Sequence, residues 1–244
     1  MNKTLNYSPN FDPKKRKFNE IKFIIFHYTG MNKEKDALIR LCNYKSKVSA
    51  HYFIGKSGEI ITLVPDTYIA WHAGISSWKN FKYLNKNSIG IEISNSGHDN
   101  KYEDFSKQQL KSIVKLTKSL IKKYNIESKF ILGHSDISPD RKKDPGEKFP
   151  WKFLSKKKIG LWYNLSEKKL LNIRNQKISK TDKKIFLNNL YKIGYKKKTN
   201  VTKITNIKIL TTAFQRRFRQ SLVNGIIDRE CLIISENLMK KTNI

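Results

Sequence analysis

The chain of 244 residues is poor in cysteine, arginine and acidic residues, and it has no long apolar run. Cys42 and Cys231 stand far apart with no metal-type partner spacing. That excludes a disulfide scaffold and a zinc finger, and both read as reduced, buried small hydrophobes. No stretch approaches the roughly 18 apolar residues of a membrane helix. The opening MNKTLNYSPNFDPKKRKFNE lacks the apolar core of a secretory signal, so the chain as written reads as a cytoplasmic protein. Only 20 Asp and Glu stand against 50 Lys and Arg, a formal net charge of +30. Such a charge invites a nucleic-acid reading. However, 42 of the basic residues are Lys and eight are Arg, and Arg carries the planar fork that reads phosphate and guanine. The charge is also even, with 31 basic and 15 acidic residues before position 165 and 19 and 5 from there on. This is a solvated lysine coat with no specific nucleic-acid partner, secondarily attractive to carboxylate-rich polymers.

What is present suffices for a globular core: 38% of residues are hydrophobic and 11% aromatic, which excludes wholesale disorder. All six prolines and all four Trp precede position 163, and the stretch after about 165 is Pro-free, Lys-rich and helical in pattern. A boundary therefore falls near 165–172, dividing the chain into an N-terminal extension (1–20), a first domain (21–164) and a helical second domain (165–244).

Short β-rich runs occur at Phe23–Phe26, Tyr52–Ile54, Ile60–Val64, Ile89–Ile93 and Phe130–Leu132. Between the last two, Ser106 and Gln109 have the spacing of a capping box. Leu110, Ile113, Val114, Thr117, Leu120, Ile121 and Tyr124 then recur at helical spacing. A helix with one apolar stripe covers a sheet, so the fold class is α/β, a mixed central sheet flanked by helices. A small all-α domain of three helices follows, at about 166–175, 181–193 and 208–220, with a further turn near 228–240.

Two histidines end apolar runs: His27 closes FIIF and opens HYTGM, and His134 closes FILG and opens HSDISPDRKKDPG, ten residues before Asp144. Two imidazoles and a carboxylate suit Zn²⁺, and three protein ligands leave a fourth position open, as in catalytic sites. The plainer alternative is a set of hydrogen-bonded surface residues at strand ends. Glu92 interrupts IGIEI, a run that otherwise reads as a buried strand. A carboxylate there is costly unless it is paired with a lysine or faces a polar cleft, and both readings stay open. Lys142, two residues before Asp144, is either an oxyanion stabiliser or one more solvated lysine.

HYTG, SAHYFIGKSGEIITLVPDTYIAWHAG, NKNSIGIEI and GHSDISPDRKKDPG, in this order between about residues 20 and 155, resemble the successive motifs of the type-2 N-acetylmuramoyl-L-alanine amidases. That family of zinc enzymes shares its fold with phage lysozyme-type amidases and animal peptidoglycan recognition proteins. The segments AFQRRFR and NGIIDRE resemble, more weakly, the three-helix peptidoglycan-binding-like domain that follows some members. Carried over, the resemblance implies Zn²⁺ ligation by His27, His134 and Asp144, with Glu92 as acid/base and Lys142 stabilising the tetrahedral intermediate. Members that only bind have lost a zinc ligand, so an intact set implies catalysis rather than a non-catalytic recognition module.

The implied reaction is hydrolysis of the amide between the lactyl group of N-acetylmuramic acid and L-alanine, in peptidoglycan or soluble muropeptides. His72 and Trp71 are expected to line the cleft near glycan or peptide, His51 to be buried beside the sheet, and His98 to be exposed. Trp78, Trp151 and Trp162 are candidates for sugar stacking, although packing is the commoner fate of Trp. Relatives with the second domain work in the periplasm or cell envelope, which is the alternative location.

Overall fold

The computed structural model describes residues 7–197 and 201–242. The first six residues of the N-terminal extension, residues 198–200 and the last two residues of the second domain lie outside the described residues. The strands are β1 (Phe11–Asp12), β2 (Phe23–Tyr28), β3 (Tyr52–Ile54), β4 (Ile60–Thr62), β5 (Ile69–Ala70), β6 (Ser77–Trp78), β7 (Phe81–Lys82), β8 (Ser88–Ile93) and β9 (Ile131–Gly133). The helices are α1 (Glu34–Cys42), α2 (Lys107–Tyr124), α3 (His134–Ile137), α4 (Trp151–Ser155), α5 (Glu167–Ile173), α6 (Lys180–Ile193), α7 (Lys203–Phe218) and α8 (Arg229–Thr242).

A five-stranded sheet of order β4-β3-β8-β2-β9 forms the centre. It is parallel except for the β3–β4 pair, the mixed sheet expected of the sequence. Side chains alternate between its faces. Ile24 and Phe26 of β2 join Ile89, Ile91 and Ile93 of β8 in one cluster with Ile113, Leu116 and Leu120 of α2. Each such buried side chain contributes on the order of 1.5–3 kcal/mol relative to exposure. Helix α2 begins where the capping box places it: Ser106 Oγ accepts from Gln109 N–H at 3.1 Å, and Gln109 Oε1 accepts from Ser106 N–H at 2.9 Å.

The opposite face of β2, Phe23 and Ile25, shares a cluster with Phe186 and Leu190 of α6, Leu210, Phe214 and Phe218 of α7, and Leu232 and Leu238 of α8. The turn expected near 228–240 is a full helix, α8, of 14 residues. Its Cys231, Leu232, Ile234 and Leu238 are all buried, and their spacing closes the bundle.

One polar node joins the helices to the sheet. Arg217 of α7 donates to Asp136 Oδ2 and, at 3.0 Å, to the Ile131 carbonyl. Its guanidinium lies 4.1 Å from the Trp151 ring centre, and Tyr195 Oη donates to Asp136 Oδ1 at 2.7 Å.

Residues 7–20 are built into the sheet domain. β1 pairs with β5, and the buried Arg16 donates to the carbonyls of Asp66, Asn85, Lys86 and Ser88. Cys231 is buried and Cys42 is half-buried. Among the described residues no helix is long and apolar enough to cross a membrane.

Candidate active site

β2, β8 and β9 run parallel and deliver their carboxyl ends to one edge, where α/β sheets bind ligands. His27, next to last in β2, is paired in register with Glu92 of β8. His134 follows β9 directly as the first residue of α3. The loop carrying Asp144 is docked onto this corner: Ser135 N–H donates to the Asp144 carbonyl at 2.8 Å. A Cβ at Gly133 would lie 2.6 Å from Pro145 Cδ, so the loop's close approach requires glycine there.

Three side-chain atoms converge. His27 Nδ1 lies 2.9 Å from His134 Nδ1, and each is 3.0 Å from Asp144 Oδ2. All three residues are buried, and the trio could hold a metal ion. His134 Nε2 donates to the Ala73 carbonyl at 3.2 Å, which leaves a lone pair on its Nδ1 when the ring is neutral. That lone pair and the Asp144 carboxylate are two acceptors 3.0 Å apart. A single proton on His27 could serve only one of them, so the donor set suits a cation.

The charges agree. Burial, followed by the charge of His134, lowers the His27 imidazole to about 4, so it is neutral near pH 7. Burial alone would raise Asp144. The two imidazoles against it, His134 foremost, outweigh burial and hold the carboxyl well below the usual carboxylate range. Glu92 is half-buried, and its Oε2 has no hydrogen-bond partner. Burial first, then the negative charge of Asp144, raises its carboxyl well above the ordinary value, against Lys142. Glu92, Lys142, Trp71, His72, Tyr28, His134 and Asp144 all line one cleft of about 420 Å³.

The structure thus brings His27, His134, Asp144, Glu92 and Lys142 to one place. Trp71 stands half-buried in the same wall. His72 has both ring nitrogens engaged by His27 and Ser88, so neither is turned to the cleft. His51 is buried beside the sheet, its Nδ1 accepting from Gly90 N–H at 3.0 Å. Trp78 and Trp151 are core residues, each 2% exposed, and Trp162 packs against the same clusters.

His98 is a correction. Far from being exposed, it is half-buried between Tyr28 Oη at 2.8 Å and Glu147 Oε2 at 3.0 Å, stacked on Tyr102. Tyr28 and Glu147 come from distant stretches, which the polar loop sequence NSGHDN does not announce.

The known amidases match this chain over its sheet domain and beyond. The family described as N-acetylmuramoyl-L-alanine amidase matches residues 17–147, more than half of the chain. The chain belongs to the N-acetylmuramoyl-L-alanine amidase family. It is 33% identical over 234 residues to N-acetylmuramoyl-L-alanine amidase AmiD of Escherichia coli, covering 91% of this chain and 83% of that protein. It is 44% identical over 106 residues to 1,6-anhydro-N-acetylmuramyl-L-alanine amidase AmpD of the same organism, covering 43% of this chain and 55% of that one. A solved structure of E. coli AmiD, in complex with anhydro-N-acetylmuramic acid-L-Ala-D-γ-Glu-L-Lys, superposes with a TM-score of 0.80 at 31% identity. That superposition covers 94% of this chain and 93% of the other, so the likeness extends through the C-terminal helices as well as the sheet.

Proposed function

We propose that this chain is a zinc-dependent amidase that hydrolyses the bond between the lactyl group of N-acetylmuramic acid and L-alanine. One observation carries the reading: three neutral or anionic acceptors of family type, His27 Nδ1, His134 Nδ1 and Asp144 Oδ2, meet within 3.0 Å of one another. Those separations are near the edge of about 3.3 Å that a tetrahedron has when its bonds are about 2.0–2.1 Å, as for zinc with nitrogen and oxygen ligands. A Zn²⁺ held there supplies Lewis acidity toward the attacking water and the scissile carbonyl.

The chain's own residues complete the reaction. Glu92 takes a proton from the water as its oxygen adds to the carbonyl carbon. It then hands a proton to the L-alanine nitrogen as the C–N bond breaks, leaving a carboxyl on the lactyl group and a free amine on the peptide. Its raised carboxyl suits the proton-carrying half of that cycle. Lys142 offers positive charge where negative charge develops on the carbonyl oxygen. The cleft's Arg40, Arg141, Lys142 and Lys143 favour stem peptides rich in carboxylates. We further read residues 165–244 as the peptidoglycan-binding part, on the resemblance of AFQRRFR and NGIIDRE. Binding of the full chain to sacculi in EDTA, where turnover is suppressed, tests it.

The main test is digestion of purified sacculi, and separately of soluble anhydro-muropeptides, with Zn²⁺ or with EDTA, followed by mass spectrometry. Zinc-dependent release of stem peptides beginning with L-Ala is expected, and the better substrate tells whether the enzyme works on wall or on fragments. Zinc uptake without cleavage of either substrate would leave a recognition module instead.

A further inference from the structure

β8 carries two faces of different character. Ile89, Ile91 and Ile93 enter the core beneath α2, while the alternate residues Ser88, Gly90 and Glu92 form the opposite face. The His72 ring lies against Gly90 on this second face, where a Cβ would come within 2.4 Å of its Cγ. Only glycine leaves room for an imidazole there.

That ring is held at both nitrogens. Ser88 Oγ is 2.6 Å from the Leu84 carbonyl, which can only accept, so the hydroxyl hydrogen points to Leu84. Ser88 Oγ is also 3.1 Å from His72 Nε2. With its hydrogen committed, the hydroxyl can only accept, and His72 carries its proton on Nε2. His72 Nδ1 is then an acceptor, 3.0 Å from His27 Nε2, and His27 donates to it. The remaining His27 nitrogen, Nδ1, is left with its lone pair facing Asp144 and His134.

We propose that His72 and Ser88 are positioning residues that fix the tautomer and ring orientation of His27, through an ordered chain from His27 Nε2–H to His72, Ser88 and the Leu84 carbonyl. The same stretch serves the second imidazole. Ala73, next to His72, presents the carbonyl that receives His134 Nε2. Asn85 Oδ1 accepts from the backbone N–H groups of both His72 (3.1 Å) and Ala73 (2.7 Å). One carboxamide thereby sets the placement of both outer partners. Groups that orient ligand histidines in this way typically change metal affinity about 10- to 100-fold when removed.

The inference rests on the reading of His27 as a zinc ligand, and the experiment separates the two. Nitrogen-15 histidine spectra of the zinc-free full chain at pH 8 report tautomers directly. His72 and His27 are each expected to carry the proton on Nε2, and a proton on Nδ1 of His72 would overturn the relay whether or not zinc binds. Zinc affinity is then measured by competition with a chromophoric chelator. If the wild-type chain takes up no zinc, the metal reading fails on its own.

If zinc binds, His72→Leu should weaken it about 10- to 100-fold, while His72→Asn, whose carbonyl can stand near the Nδ1 position, should recover most of the loss. Ser88→Ala, which removes one hydroxyl and is the safer variant for folding, should weaken zinc binding by a smaller factor, about three- to tenfold. Affinities within twofold of wild type for both His72→Leu and Ser88→Ala would also overturn the proposal, as would equal losses in His72→Leu and His72→Asn.

Discussion

His27 and Glu92 stand directly opposite each other on adjacent parallel strands, in register, so both side chains leave the same face of the sheet at its carboxyl edge. The first faces Asp144 and His134. The second lines the cleft with Asp144 and His134, and its buried Oε2 has no hydrogen-bond partner. The proposed metal ligand and the proposed proton carrier are thus placed side by side by strand pairing.

Replacing Glu92 by Gln should separate chemistry from structure. Turnover of a muropeptide is expected to fall about 10²- to 10⁴-fold, the range for loss of a general acid–base group, with zinc stoichiometry unchanged. Burial disfavours the ionised carboxyl, so the neutral amide should leave the melting temperature at pH 7 equal or higher. A large fall in melting temperature or in bound zinc would contradict this role.

Zinc should stabilise the folded chain by mass action. At a free concentration a hundred times its Kd, binding adds about 2.7 kcal/mol, visible as a rise in melting temperature that EDTA reverses. Asp144→Ala should remove that rise, because two imidazoles alone make a poorer site. A zinc-induced shift that survives in Asp144→Ala would place the metal elsewhere.

The Arg217–Asp136 pair predicts that the C-terminal helices cannot be loosened without cost to the sheet. Both side chains are buried, at 3% and 1% exposure, and removal of one partner strands the other. Arg217→Ala is expected to cost about 3–5 kcal/mol in chemical denaturation, and Tyr195→Phe, which deletes one hydrogen bond to the same carboxylate, about 1 kcal/mol. Equal and negligible effects would mean that the node contributes nothing.

Acid should weaken the zinc-free chain well before carboxylates titrate. Burial, then the charge of Arg16, lowers His51 to about 3, whereas an unfolded histidine titrates near 6.5. The unfolded state therefore binds the extra proton between these values. The stability from a neutral His51 is complete above pH 6.5 and declines as pH falls toward 3. Denaturation midpoints measured at intervals from pH 8 to pH 4 should fall, and His51→Gln should show a shallower fall. An unchanged slope in that variant would exclude the assignment.

Much of the architecture is legible in local sequence. The run FIIFHY forms a strand and SIGIEI another, because β-branched and aromatic residues bounded by polar ones suit a pleated, buried surface. The box of Ser106 and Gln109 starts α2 where expected, since both of its hydrogen bonds lie within one turn. Strand ends at His27 and His134 single out candidate ligands, and the charge inside SIGIEI singles out Glu92, by chemistry out of keeping with the surrounding apolar pattern. The segment near 228–240 is legible as an element, but its apolar stripe becomes a full helix, α8, only against α6 and α7.

Tertiary structure decided everything that depends on contact between distant stretches. The alternation of Ser88, Gly90 and Glu92 could be read as a polar face, yet nothing local says that His72 fills the space above Gly90. Nothing local says that His98 meets Glu147, or that Arg217 reaches back 81 positions to Asp136. Local propensity acts through hydrogen bonds within a turn or a strand, and is encoded residue by residue. The partners of a buried polar group are chosen by which surfaces pack together, and that is settled only when the whole chain has excluded water from its core.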